Sequence, residues 1–94
     1  MDLRKIDLNL LLVFARLFRE RRIRRVAESL DMSQPGVSNA LNRLRALLGD
    51  ELFVRTPHGM EPTSYAMRLA GPVTEALEQI HSALDAKTSF ILNP

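Results

Sequence analysis

Read for apolar spacing, the chain divides into four helical stretches and one short extended stretch. Leu8, Leu11, Leu12, Ala15 and Phe18 or Leu17 recur at the 3.6-residue period of a helix, and Asp7 ahead of them suits the capping of backbone donors. Leu10 and Val13 are apolar too, so this first helix is apolar nearly all round and is expected to meet another helix or another subunit. Ile23, Val26, Ala27 and Leu30 mark the inner face of a second, short helix. After Asp31-Met32-Ser33 a third begins, with Ser33 as its cap and Pro35 in its first turn, where a proline has no intrahelical hydrogen bond to lose. Val37, Ala40, Leu41, Leu44 and Leu48 form its core stripe, and Gly49 ends it.

Leu52-Phe53-Val54-Arg55 has the aromatic and branched content of a strand. A turn at Pro57-His58-Gly59 returns the chain through Met60, Glu61 and Pro62, which makes a small hairpin, or wing. Thr63 or Ser64 then caps a last helix in which Leu69, Val73, Leu77, Ile80 and Leu84 follow at intervals of four, four, three and four, the seam of a helix pair. Gly71-Pro72 interrupts it. A proline in a helix interior removes a hydrogen bond and costs about 3 kcal/mol, so a bend or break is expected near Ala70. The apolar pattern fades from Ala86, and residues 88–94 read as a linker cut before a following domain.

Composition narrows the classes. Ninety-four residues fill one domain rather than two, and 46% hydrophobic with 26% charged residues is the composition of a folded chain. The formal charge of +2 is unevenly spread: residues 1–60 hold 11 basic and seven acidic side chains, residues 61–94 two and four. Eleven of the 13 basic residues are Arg, the side chain suited to planar contact with phosphate and base edges. Without cysteine there are no disulfides, thiolate metal ligands or Cys nucleophile, and a reducing compartment is permitted. The apolar run Leu10 to Ala15 is far shorter than the roughly 18 residues of a membrane span, and it is too short and too acidic-flanked for a signal peptide. An intracellular protein with no membrane partner is expected.

No catalytic pattern is present. His58 and His81 lie 23 positions apart with no Cys, which argues against a metal site, and Tyr65, Ser64 and Ser82 have no acid or base at a useful spacing. No glycine-rich loop exists to hold a nucleotide. The expectation is therefore a non-enzyme with no cofactor in this domain.

The informative chemistry lies around the second and third helices. Arg19, Arg21, Arg22, Arg24 and Arg25 are interrupted by Glu20 and Ile23 alone, the densest charge in the chain. Residues 33–42 carry no charge at all. Opposite the core stripe stand Pro35, Asn39, Asn42 and Arg43, with Ser38 and Gln34 on the shoulder. A solvated helix face normally uses Glu and Lys; neutral amides and hydroxyls suit base edges, where amides pair with adenine and hydroxyls with several bases. Amides inside a basic frame read as a recognition surface. A second reading makes the winged helix a protein-interaction module that docks through its apolar first and last helices.

The order of these parts resembles the N-terminal winged helix-turn-helix of the LysR-type transcriptional regulators, from about Asp7 to Leu84. The resemblance is carried by Val26-Ala27-Glu28-Ser29-Leu30, by Ser33-Gln34-Pro35-Gly36-Val37-Ser38, by Leu41 and Leu44, and by Leu52-Phe53-Val54-Arg55 and Pro62-Thr63. The strings SQPGVSNALNRLR and LFVRTPHGMEPT look most like the branch containing regulators of nodulation and of naphthalene or salicylate degradation. Arg22 and Arg24 stand where the family commonly has Ser and Thr, which loses capping and gains positive charge, and Gly36 stands where Ala is common, which allows closer approach to DNA.

The resemblance implies a mostly α fold and a bacterial, cytoplasmic transcription factor. Residues 1–62 would be the winged helix-turn-helix, 63–87 the linker helix, and 88–94 the start of a hinge to an effector-binding domain that senses a small molecule. Double-stranded DNA would be the partner, with a recognition helix of about residues 34–48 in the major groove and a wing of about 52–62 near the minor groove. Gln34, Pro35, Ser38, Asn39 and Asn42 would meet bases. Arg22, Arg24, Arg25, Ser33, Arg43, Arg55 and Thr56 would meet the DNA backbone, and His58 and Gly59 would form the wing tip. A homodimer would pair through Leu69, Val73, Leu77, Ile80 and Leu84.

Overall fold

A computed structural model describes the backbone of residues 1–92 and the side chains of residues 1–85. After a 3-10 turn at Leu3–Lys5 come α1 (Leu8–Glu20), α2 (Ile23–Leu30), α3 (Gln34–Leu48), β1 (Phe53–Thr56), β2 (Gly59–Pro62) and α4 (Ser64–Leu92). Three helices pack on one another, the antiparallel pair β1–β2 forms the wing beside them, and α4 closes over α1.

The caps foreseen from the sequence are in place. The Asp7 carboxylate accepts from Asn9 N–H at the start of α1, and Ser33 Oγ accepts from Gly36 N–H at the start of α3. Thr63 caps α4, its Oγ1 accepting from Ala66 N–H. Arg22 gives α2 no side-chain cap, as the replacement of a hydroxyl residue there implied. Between α2 and α3, Asp31 adopts the left-handed conformation (φ 55°), Met32 N–H bonds to Ala27 C=O and Asp31 N–H to Glu28 C=O. This paired closure ends α2 and turns the chain within three residues into α3.

The core is built on Phe14 and Phe53, both fully buried, with ring centroids 5.6 Å apart. Burying a side chain of that size contributes about 1.5–3 kcal/mol. Val26, Ala27, Val37, Ala40, Leu41 and Leu44 surround the rings on the expected faces of α2 and α3. On α1 the expectation needs correction: the buried residues are Leu10, Val13, Phe14 and Leu17, whereas Leu11, Leu12, Ala15 and Phe18 are half-buried and Leu8 is exposed. Leu10, Val13, Phe14 and Leu17 share the same 3.6-residue spacing. In a helix apolar nearly all round the spacing alone does not choose between stripes, and the stripe holding the large Phe14 ring takes the centre.

Three further expectations are corrected. First, Gly71-Pro72 does not break the last helix, which runs continuously from Ser64 to Leu92. Gly71 has no Cβ to collide with the proline ring, and Arg68, whose carbonyl loses its partner, is solvent-exposed with Pro72 itself. Second, α4 extends past the expected end at residue 87, so the proposed hinge 88–94 begins as helix, with residues 93–94 outside the described residues. Third, a Cβ at Gly36 would lie 3.1 Å from Ser33 Oγ and 3.6 Å from Met32 Cε, so the space it leaves belongs to the α2–α3 turn and not to the outer face of α3.

Between α3 and the wing, Leu52 is fully buried with φ 65°, and Phe53 N–H bonds to Glu51 C=O across it. That is a γ-turn of the rare, strained positive-φ kind. Asp50 holds it: its Oδ1 accepts from both Leu52 N–H and Thr63 Oγ1–H at 2.8 Å, while Thr63 N–H donates to Leu52 C=O. The wing then runs with Phe53 opposite Pro62 and Thr56 opposite Gly59, and Pro57 and His58 form the turn. Thr56 Oγ1 ties that turn, donating to Gly59 C=O and accepting from His58 N–H.

The wing is also pinned to the α1–α2 corner. Arg21, left-handed at the end of α1, offers its carbonyl to Met60 N–H at 2.7 Å, and the same carbonyl would lie 2.6 Å from a Cβ on Gly59, whose φ is 118°. Only glycine fits there on both counts. We expect Gly59→Ala to lower unfolding stability by about 2 kcal/mol or more, read as a shift of the urea midpoint; an unchanged midpoint would show that the wing does not depend on this approach.

Candidate nucleic-acid interface

The α1–α2 corner, the first turns of α3 and the wing enclose an open cleft of about 890 Å³. Of the residues assigned to DNA from the sequence, it gathers Arg22, Arg24, Gln34, Pro35, Ser38, Arg55, Thr56 and Gly59. These come from four elements separated by up to 37 positions, and the pinned wing is what brings Arg55 and Thr56 across from α3. Asn39, Asn42 and Arg43 lie outside the cleft, exposed on the outer face of α3, and Arg25 is exposed on α2. Gln34, Pro35 and Ser33 are exposed at the α3 start, and Ser38 is half-buried.

The arginines divide by what they already hold. Arg21 belongs to the fold: Nε donates to Phe18 C=O, a guanidinium nitrogen meets Glu61 at 3.3 Å, and the group stacks 5.0 Å from the Phe18 ring centroid. Arg45, which the sequence reading passed over, donates to Glu51 C=O at 2.7 Å, Phe53 C=O at 2.8 Å and Asn42 Oδ1 at 3.0 Å. It fastens the middle of α3 to the start of the wing. Arg24 meets Glu28 one helical turn on at 3.3 Å, both side chains largely exposed, a pairing worth little in water. Among the described residues, Arg22, Arg25, Arg43 and Arg55 have no ion-pair partner. Arg22 and Arg55 in the cleft and Arg43 on α3 therefore stand unneutralised beside the uncharged stretch 33–42, which focuses positive potential there.

Two assigned roles change. Thr56 commits its hydroxyl hydrogen to Gly59 C=O and so has none left for a phosphate. Gly59 is not at the wing tip but beneath the Arg21 carbonyl; Pro57 and His58 form the exposed tip. The signals for the missed groups are local and easily read as surface: Arg45 stands one helical turn after Asn42, and Asp50 directly follows the helix-ending Gly49.

The seam on α4 is used in two ways. Ala66 and Ala70 are buried against the domain, and Leu69 and Val73 pack at the margin of that same core. Leu77 is half-buried beside Leu12 and Ala15 of α1, whereas Ile80 and Leu84 are exposed. The apolar stripe thus outruns the domain it covers.

Arg4 holds the Asp2 carboxyl below its ordinary range through a side-chain and then a backbone hydrogen bond, in the N-terminal turn and outside the cleft. Among the described residues, no three His, Cys, Asp or Glu side chains converge as metal ligands would, and no helix is long and apolar enough to cross a membrane.

Comparison with known proteins agrees with this geometry. Residues 8–67 match the family model described as bacterial regulatory helix-turn-helix protein, lysR family. The HTH-type transcriptional activator NahR of Pseudomonas putida is 56% identical over 90 residues, which cover 96% of this chain and 30% of NahR. A crystal structure of the probable transcriptional regulator PA0477 from Pseudomonas aeruginosa superposes with a TM-score of 0.84 at 46% identity, over 87% of this chain and 28% of that one. The BenM DNA-binding domain, solved in complex with catB site 1 DNA, shares the fold at a TM-score of 0.85 and 20% identity, over 95% of this chain and 99% of that one. The chain thus spans about 30% of the length of NahR. With the helix-turn-helix, the wing and the long last helix all in place, it belongs to the LysR family of bacterial regulatory helix-turn-helix proteins and is a DNA-binding domain of that family.

Proposed function

We propose that the domain reads double-stranded DNA by laying α3 in the major groove, with Gln34, Pro35, Ser38 and Asn39 toward base edges and the wing tip at His58 toward the minor groove. The observation that carries this is the uncharged stretch of α3 up to Asn42, beside the unpaired Arg22, Arg43 and Arg55. Phosphates neutralise such arginines, and neutral amides and hydroxyls lose little by leaving water for a base edge that offers matching bonds. In this reading Arg22, Arg24, Arg25, Arg43 and Arg55 contact the DNA backbone, joined by the Ser33 hydroxyl.

The same reading makes the chain one half of a homodimer on a two-fold related site, with Ile80 and Leu84 as the surface a second copy covers and Leu77 at its edge. Leu69 and Val73 serve the domain's own core instead. It places the domain in a bacterial, cytoplasmic transcription regulator whose remaining region carries a small-molecule effector site, reached through α4.

Binding to a labelled duplex at two salt concentrations tests the first claim, because each neutralised phosphate adds about 0.9 to the slope of log affinity against log salt. A flat dependence would favour the protein-interaction reading. Arg25→Ala should weaken all sequences similarly and lower that slope by about one. Arg21→Ala should leave the slope unchanged and cost roughly 1 kcal/mol of unfolding stability. The two variants together separate phosphate contact from structural support. Leu84→Asp should yield monomers in sedimentation; dimers that persist would locate the pairing surface elsewhere.

A further inference from the structure

One side chain on the outer face of α3 has its direction fixed from within the protein. Arg45 donates through Nε to Glu51 C=O and through one terminal nitrogen to Phe53 C=O, which locks the guanidinium plane against the backbone entering β1. The other terminal nitrogen then points at the Asn42 side chain, 3.0 Å away. A guanidinium has only donors, so the Asn42 atom that meets it is the amide oxygen. The amide NH2 is left to face outward, and Asn42 is exposed on the stripe it shares with Pro35 and Asn39.

This changes what Asn42 can read. An Asn recognises adenine by accepting from N6–H while donating to N7, which needs its oxygen and its nitrogen both turned to the base. With the oxygen turned to Arg45, the group Asn42 presents outward is its NH2, and the purine edge with two acceptors is guanine, through N7 and O6. We infer that Arg45 is a positioning residue that makes Asn42 a donor-only reader, so that Asn42 selects a G·C pair over an A·T pair. The inference rests on α3 lying in the major groove as proposed above.

Selection of bound duplexes from a randomised pool by the full chain, in wild-type, Asn42→Asp and Arg45→Met forms, tests it. Asp at position 42 keeps one oxygen for Arg45 and turns an acceptor outward. The wild type should enrich a G·C pair at one position of each half-site by about tenfold or more over A·T. Asn42→Asp should replace that guanine with cytosine or adenine, whose amino groups donate, and leave the other positions as they were. Arg45→Met should admit adenine at the same position, because the amide is then free to turn its oxygen to the base. A purely structural role for Arg45 would weaken every sequence alike without changing the base. An A·T pair at the Asn42-dependent position in the wild type, or no position that responds to Asn42→Asp, would overturn the inference while leaving the DNA-binding reading intact. No enrichment by the wild type at all would overturn both.

Discussion

The peptide carbonyl of Arg21 decides whether there is a reading surface or merely a three-helix bundle with a loose hairpin. It accepts from Met60 N–H and lies so close to Gly59 that no side chain fits between. Two isolated four-residue strands are marginal in water. Here the hairpin is fastened at three places: to the α1–α2 corner by this carbonyl, to the core by Phe53 and Met60, and to the middle of α3 by Arg45. Arg55 faces the amides of α3 as a consequence, since its position relative to Gln34 and Ser38 is set by those three attachments. The left-handed turn at Arg21 serves the same end: it stops α1, frees the carbonyl and stacks the guanidinium on Phe18.

Charge alone would have misdirected a reading of the arginines. Five stand within seven positions, yet Arg21 is engaged by Phe18 and Glu61, and Arg19 and Arg24 have carboxylates nearby. What distinguishes Arg22, Arg43 and Arg55 is that they lack an ion-pair partner among the described residues and stand at the cleft or on α3 itself. An isolated cation at a protein surface is well hydrated and carries no information. Three of them beside one uncharged stretch of helix form a field with a shape, and a polyanion of matching curvature is what such a field selects.

Much of this was legible in the amino-acid order because it depends on short-range rules. Asp7, Ser33 and Thr63 each precede an apolar repeat by the distance at which a side-chain oxygen reaches a free N–H, so helix starts could be read directly. The faces of α2 and α3 were equally plain, because each has one apolar stripe and one polar one. Where the rule admits two answers, long-range packing chose: on α1 two stripes compete, and the Phe14–Phe53 contact selects one. At Pro72 the absence of a Cβ on the preceding glycine outweighed the usual effect of proline. Arg45 and Asp50 were missed, and Gly59 was given to the wing tip, for another reason. Arg45 bonds carbonyls six and eight positions on and Asp50 the Thr63 hydroxyl 13 positions on, while the carbonyl that Gly59 lies against belongs to Arg21, 38 positions back, and each of the three reads equally well as ordinary surface.

The continuity of α4 bears on how a two-headed regulator would work. Ala66 and Ala70 fix the roll of that helix against the bundle, and the stripe that includes Val73 passes without a joint to Ile80 and Leu84, about 16 Å further at 1.5 Å per residue. The helix stays unbroken along this stretch despite the hydrogen bond lost at Pro72. Under the proposed pairing, a twist or slide imposed on its far end would arrive at α3 as a turn of the entire reading head, altering the spacing and phase of two grips on the duplex and leaving each grip unchanged.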